Sequence, residues 1–366
     1  MRSSPPSSTL LMIPFLSSHD AMSQDVLEQQ KILAQNGPCF IYAQFSDDVC
    51  KSLTLSFLEV QKLLLETPSV RIVYHHGVFW HQGEEILQAH PEHPVILRYH
   101  SITPESFYKP YDHASFVACA EGRKQSLRLI RMDSVKTFAS TSPYASRELA
   151  EMGVSENRIQ EVAPFFHLED SLPAAFSQEK PFLVLFVGRI VPNKGIQHLL
   201  LTLDRYLSLF GPEIHLNIVG SWTLRDPSYY QTLETIIREK RLASYVSFHP
   251  QISRAELNAF YKQSQAFLVM SEHEGFCVPV VEAQNFGLPV VSLSRTAVFD
   301  TVGEHQIRIE ELDYTLFASA LHRIRTQPGV RDYLRDQGFI NQARYAYEKN
   351  KRVLSKMMGD VCISSP

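Results

Sequence analysis

Apolar and polar positions along this chain come in blocks whose period changes. Short apolar runs of buried-strand type stand at Leu10–Leu16, Cys39–Ala43, Val70–His75, Val95–His100, Val135–Ser140 and Ile159–Ala163. Helical periods fall between them at Gln24–Asn36, Lys51–Glu66, Arg123–Arg131 and Pro143–Met152, the last with Ser142 placed as its N-cap. Gly37-Pro38 and Gly153 are placed as helix stops. A polar, Pro-containing stretch follows at Ser171–Pro181, and then the alternation resumes. Strands are expected at Phe182–Val187, Leu216–Val219, Val246–Phe248 and Phe267–Met270, with a further one from Pro289. Helices are expected from about Gly195 to Phe210 and at Tyr229–Arg241, Arg254–Gln263 and Cys277–Phe286, with Gly287 as the last one's stop. A final amphipathic helix is expected at about Asn341–Met358. Strands alternating with helices, twice over, predict an α/β fold of two doubly wound, Rossmann-like domains. The boundaries read as 1–171 for the first domain, 172–181 for a linker and 182–340 for the second.

Length and composition agree with that picture. At 366 residues the chain can bury two cores, and 44% hydrophobic with 20% charged residues is globular composition. A net charge of −4 gives no reason to expect a nucleic-acid partner. Five cysteines without CxxC spacing suggest a reducing compartment, and 15 histidines form no HExxH pattern, so no metal is expected. The apolar run at Thr9–Leu16 after Arg2 is short, contains Pro14 and has no small-x-small site behind it, so it reads as a strand rather than a signal peptide. The Ser/Pro-rich first eight residues are expected to be disordered. No stretch reaches the ~20 apolar residues of a membrane span, and a cytoplasmic protein is expected.

Candidate chemistry concentrates in Gln265–Val291, a strand–loop–helix–strand unit with a polar loop centred on Gly275. Parallel α/β sheets place ligands at the carboxyl ends of their strands, where this loop falls. Glu274 and Glu282 lie there with seven residues between them, roughly 80° apart if both were on one helix, so spacing alone does not pair them. The N–H groups of Phe276, Cys277 and Val278 at the helix start suit a phosphate, and a carboxylate such as Glu282 suits a ribose diol. A macrodipole-favouring acid plus a solvated loop acid explains the same residues equally well. Gly188-Arg189-Ile190-Val191-Pro192-Asn193-Lys194-Gly195 follows another strand, and its tight turn would let a guanidinium fork and a mobile ammonium reach one diphosphate.

The first half carries weaker signals. The loop Ser17–Asp25 lacks GxGxxG. Asp20 and Asp25 are candidates for acceptor hydroxyls, although helix capping is the commoner duty of such residues. Two strand ends carry histidines, at His75-His76 and at His100 within Tyr99-His100-Ser101-Ile102-Thr103-Pro104. In Arg123–Arg131, Lys124, Arg128 and Arg131 share one face and Leu127 and Ile130 another. That face could rest on an anionic membrane, and an ordinary surface helix is the competing reading.

The run SEHEGFCVPVVEAQNFGLPVV (Ser271–Val291) resembles the E-x7-E donor-site signature of retaining GT-B glycosyltransferases, glycosyltransferase family 4. Cys277 stands where that family usually has Gly. The Gly188–Gly195 segment resembles the family's GRxxxxKG element, about 80 residues upstream, and Tyr99–Pro104 resembles a YHxITP segment found in a subset of members. The resemblance implies the GT-B arrangement, with a C-terminal helix at about 341–366 returning to the first domain. It also implies a retaining, metal-independent hexosyltransferase that takes GDP- or UDP-hexose as substrate and needs no cofactor. The partners it implies are a glycan or lipid-linked acceptor in envelope or lipopolysaccharide synthesis, with peripheral contact on the inner membrane face. Arg189, Lys194, Glu274 and His100 become the expected catalytic residues. Gly188, Glu282, Gly275, Phe276, Cys277 and Val278 become the expected donor-binding residues, with Asp20, His75 and His76 on the acceptor side. Alternatives are a catalytically silent sugar-nucleotide-binding scaffold and a GT-B-shaped epimerase or phosphorylase.

Overall fold

The computed structural model describes residues 8–18, 20–166 and 181–363, with side chains to 359. The expected linker, apart from Pro181, and residues 1–7 of the Ser/Pro-rich start lie outside the described residues.

The chain forms two compact units, one of Met1–Ile102, Ala118–His167 and Ala346–Pro366, the other of Thr103–Val117 and Leu168–Tyr345. In the first, β1 (Ser8–Leu16), β2 (Cys39–Ser46), β3 (Thr54–Leu55), β4 (Val70–His76), β5 (Val95–Tyr99), β6 (Val135–Ser140) and β7 (Ile159–Glu161) form a seven-stranded sheet. Its order is β3-β2-β1-β4-β5-β6-β7, and every pairing is parallel. Leu10 and Met12 enter one core with Ile72 and Tyr74, while Leu11 and Ile13 enter another with Val26 and Val73. Burial of both faces is why these strands read as continuous apolar runs instead of alternating.

The second unit has six parallel strands: β8 (Phe182–Val187), β9 (Ile214–Val219), β10 (Val246–His249), β11 (Ala266–Val269), β12 (Val290–Leu293) and β13 (Ile307–Ile309). Their order is β10-β9-β8-β11-β12-β13. Val184 and Phe186 pack on one face with Leu268, while Leu185 packs on the other with Phe267 and Val269.

Several expectations change. The helix expected at Lys51–Glu66 is a 3₁₀ turn at Lys51–Leu53, the short strand β3 and a helix at Phe57–Glu66, capped by Ser56. The helix expected at about 341–358 begins later, as Tyr347–Ile363, since Asn341 and Gln342 close the preceding helix Pro328–Gln342 and a 3₁₀ turn at Ala343–Tyr345 separates the two. They answer to different cores: Leu334 packs in the second unit, whereas Leu354, Met357 and Met358 pack with Leu11 and Ile13 in the first. The expected helix at 123–131 is the longer His113–Leu129, which ends before Arg131. Its buried face mixes Leu129 with polar residues: Gln125 brackets Trp80 through both the Trp80 N–H and carbonyl, and Ser126 Oγ lies 2.9 Å from His76 Nε2. Leu127 is therefore exposed, and Arg128 holds Glu84 in a bidentate pair at 2.6 and 2.7 Å. With Lys124 also paired to Glu121 at 2.8 Å, the proposed basic membrane face is largely neutralised. The helix His81–Ala89 escaped the sequence reading, its apolar residues being few.

Candidate functional site

Strand order positions the second unit's chemistry. β8 and β11 are neighbours, but the chain continues from β8 toward β9 and from β11 toward β12, on opposite sides. The loops leaving these two carboxyl ends therefore diverge, and a crevice opens where the order reverses. Gly188–Gly195 leaves β8, and Met270–Cys277 leaves β11.

The two loops are tied together. Lys194 Nζ lies 2.6 Å from Glu274 Oε2, their side chains 16% and 9% exposed. Asn193, 2% exposed, accepts from the Glu272 N–H at 2.9 Å through its carbonyl and donates from Nδ2 to the His273 carbonyl at 3.0 Å. Tyr108 Oη donates to Asn193 Oδ1 at 3.1 Å. Gly195 takes φ 66°, and a Cβ there would meet the Met270 carbonyl oxygen at 2.1 Å. Only glycine lets the β8 loop approach β11 so closely.

Glu274 is braced from behind by its own N–H, which donates to Thr296 Oγ1 at 3.0 Å. Burial pushes its pKa up, but the charge and hydrogen bond of Lys194 outweigh that, so the carboxyl is held below its usual value. Glu272, which sequence reasoning passed over, accepts from His198 Nε2 at 3.1 Å and pairs with Arg295 Nη1 at 3.4 Å. Its carboxyl is also held below the ordinary value, chiefly by the His198 hydrogen bond. Arg189 is exposed, and among the described residues no hydrogen bond or ion pair holds its guanidinium.

The helix Val278–Asn285 starts from Cys277, which sits in the left-handed region at φ 77°, ψ 65°. The Cys277 backbone thus takes a conformation that glycine adopts without strain. Its thiol is buried beside Val280 and Val298, and burial raises its pKa well above the usual range, so it is no ready nucleophile. Gly275, Phe276 and Val278 flank it at the helix start, with Phe276 packed edge-on against Tyr345. Gly188 continues the β8 ladder, its N–H donating to the Val219 carbonyl at 2.9 Å. Glu282 is one turn into the helix and 6% exposed. Arg254 Nη1 donates to one of its oxygens at 2.7 Å and Tyr261 Oη to the other at 2.9 Å. Neither partner carries a sequence signal that distinguishes it from ordinary helix residues.

In the first unit, Asp20 caps the helix Ala21–Leu33, accepting from the Ser23 N–H at 2.9 Å. Asp25 is fully buried and cannot meet an acceptor hydroxyl as the sequence suggested. Its Oδ2 accepts from Arg98 Nε at 3.0 Å and its Oδ1 from the Phe165 N–H at 2.8 Å. His75 and His76, at the end of β4, are 1% and 0% exposed, which removes both from the surface where an acceptor would bind. Burial holds the pKa of His75 down to about 3 and that of His76 to about 4. His100 follows β5, its side chain 12% exposed, with Nε2 3.0 Å from His75 Nδ1. Burial first, then the neighbouring His75 and Arg98, hold its pKa well below the usual value, and all three imidazoles are neutral at pH 7. Among the described residues no helix is long and apolar enough to cross a membrane, and Cys39, Cys50, Cys119 and Cys277 are free thiols.

Comparison with known proteins places this geometry. Residues 169–341 match the model of the family described as glycosyl transferases group 1. A D-inositol 3-phosphate glycosyltransferase of Thermobifida fusca is 28% identical over 232 residues, 58% of this chain and 52% of the relative. The chain spans about half or less of the length of the curated relatives it matches first. Among solved structures, a sucrose-phosphate synthase of Thermosynechococcus elongatus superimposes with a TM-score of 0.76 at 18% identity, covering 98% of this chain and 100% of the other. Anabaena HepE, solved with UDP and glucose, gives 0.73 at 14% identity, covering 97% and 100%. The fold is GT-B: two parallel-sheet, Rossmann-like domains.

Proposed function

We propose that this chain is a retaining hexosyltransferase of the E-x7-E class, glycosyltransferase family 4. In this reading it transfers a hexose from a nucleoside diphosphate sugar to a glycan or lipid-linked acceptor in cell-surface polysaccharide synthesis. The observation that carries the reading is the Lys194–Glu274 pair. Two residues 80 positions apart meet at 2.6 Å at the topological switch of the second sheet, beside a glycine that admits close backbone approach.

The residues then take these roles. The exposed Arg189 guanidinium and the Lys194 ammonium receive the diphosphate, Lys194 sharing its donors between Glu274 and phosphate oxygen. The N–H groups of Phe276, Cys277 and Val278 and the helix dipole add positive potential. These groups stabilise the charge that develops as the nucleoside diphosphate leaves, and their two cations occupy the place that a metal takes in other transferases. Glu274 orients hydroxyls of the donor sugar. Glu282, held by Arg254 and Tyr261, keeps lone pairs for a ribose diol. His100 supplies a hydrogen bond to the sugar or the leaving phosphate. Relatives with sugar-transfer names and the UDP found in HepE support this reading and put UDP-hexoses first among donors to try.

The test is a thermal-shift panel of UDP-glucose, UDP-galactose, UDP-GlcNAc, GDP-mannose and ADP-glucose, each with and without EDTA, on wild type and Arg189→Ala. One donor stabilising the wild type, unaffected by EDTA and ineffective on the variant, is the expected result. An unchanged melting temperature with every donor would count against the assignment.

A further inference from the structure

The histidine pair of the first unit has a polarity that its surroundings determine. His75 Nδ1 and His100 Nε2 are 3.0 Å apart and both rings are neutral, so a single proton lies between them. Asp25 Oδ2 is 4.0 Å from each of these nitrogens and does not choose between them, its carboxylate being engaged by Arg98 and the Phe165 N–H. The choice falls to the far side of His75, where Nε2 is buried with no hydrogen-bond partner among the described residues. If the shared proton sat on His100, neutral His75 would carry its own proton on Nε2, leaving a buried N–H donor unpaired. If it sits on His75 Nδ1, the orphan is only an acceptor lone pair, and a protein tolerates that more readily. Arg98 also supplies the positive charge beside Asp25, so Asp25, His75 and His100 do not need a metal ion to be balanced, although their ligand atoms lie within 4.8 Å of one another.

We infer that His75 is a positioning residue that donates Nδ1–H to His100 Nε2 and so locks His100 as its Nδ1–H tautomer. His100 then presents a neutral N–H donor at its partly exposed edge, where no hydrogen bond among the described residues engages Nδ1. Free imidazole side chains favour the opposite tautomer, so the lock changes what His100 offers: a donor aimed outward instead of an acceptor. A group that gains an acceptor oxygen there, such as a sugar hydroxyl or a phosphate oxygen, needs no reorganisation of the ring. The link to sugar transfer rests on the reading proposed above, whereas the tautomer itself does not.

Long-range ¹H–¹⁵N correlation of ring-labelled histidines measures both. Wild type should show His100 with a protonated Nδ1 and an unprotonated Nε2. His75→Phe should move His100 toward Nε2–H, and His75→Asn, whose amide N–H lies where Nδ1–H was, should preserve the wild-type pattern. With a turned-over donor, His75→Phe should lower kcat by ~10²-fold with a smaller change in KM, as for loss of one oriented donor, and His75→Asn should recover most of it. A wild-type His100 protonated on Nε2 overturns the inference whatever the activity. Failure of every donor, with the Nδ1–H tautomer intact, would instead overturn only the transferase reading.

Discussion

Replacing Lys194 by Met tests whether the loop-to-loop ion pair has the strength its geometry implies. At 2.6 Å and an effective dielectric of about 20 the two charges attract by roughly 6 kcal/mol before desolvation is subtracted. Methionine keeps the stem's volume and leaves the Glu274 carboxylate without its cation in a site where its side chain is 9% exposed. Breaking a buried pair in this one-sided way costs about 3–5 kcal/mol, and the 16% exposure of Lys194 favours the lower end, about 3 kcal/mol at pH 7. The pH dependence carries the sharper sign. In wild type the Glu274 pKa is lowered from 4.5, so its contribution is present above that value and is lost as pH falls through the folded pKa. In the variant burial is opposed only by the lesser influences of Ser271 and His273, the pKa moves upward, and protonation relieves the damage as pH falls. The deficit should therefore shrink between pH 7 and pH 5. Hydrogen exchange of the β8 and β11 amides, read by mass spectrometry, reports the opening free energy of this unit alone. Lys194→Met/Glu274→Gln should lose less than the single variant. A deficit under ~1 kcal/mol at pH 7, or one that does not change with pH, would refute the reasoning.

Two backbone predictions follow from the same crevice. Cys277→Gly should leave stability within ~1 kcal/mol of wild type and donor binding intact, because relief of ~1–2 kcal/mol of left-handed strain offsets lost thiol packing and added chain entropy. Cys277→Val, β-branched at φ 77°, should lower the unfolding free energy by ~2 kcal/mol or more in urea titration. Gly195→Ala should cost at least ~2 kcal/mol by thermal unfolding and weaken any donor that binds, since its Cβ meets the Met270 carbonyl oxygen at 2.1 Å and the two loops must part.

Local pattern was sufficient wherever structure is decided by burial along one segment. The apolar runs at Phe182–Val187 and Val135–Ser140 and the helix at Arg254–Gln263 lie where the sequence put them, because a strand buried on both faces or a capped amphipathic helix announces itself within its own residues. Ser142 caps its helix as expected for the same reason. Pattern misled where a buried face is partly polar. The helix His113–Leu129 packs through Gln125 and Ser126 as well as Leu129, so counting apolar residues alone put Leu127 inward although it is exposed. Pattern also placed the start of the last helix too early, at 341, where the end of Pro328–Gln342 and a 3₁₀ turn precede Tyr347–Ile363.

The candidate site divides along the same line. Spacing alone left Glu274 and Glu282 open to a bland reading, and it was the resemblance of the two loops to a family signature that marked them together with Arg189 and Lys194. Which of them touch was not legible there. Strand order placed β8 beside β11 and made Lys194 the partner of Glu274, while Arg254 and Tyr261 came to Glu282 from a separate helix. Asp25 shows the difference most plainly. In sequence it is a loop-proximal acid open to a ligand, and in the fold it is a fully buried counterion to Arg98, 73 residues away. A side chain's chemical type is local, but its charge state, tautomer and partner depend on dielectric and on groups brought from elsewhere, and only the packed structure supplies those.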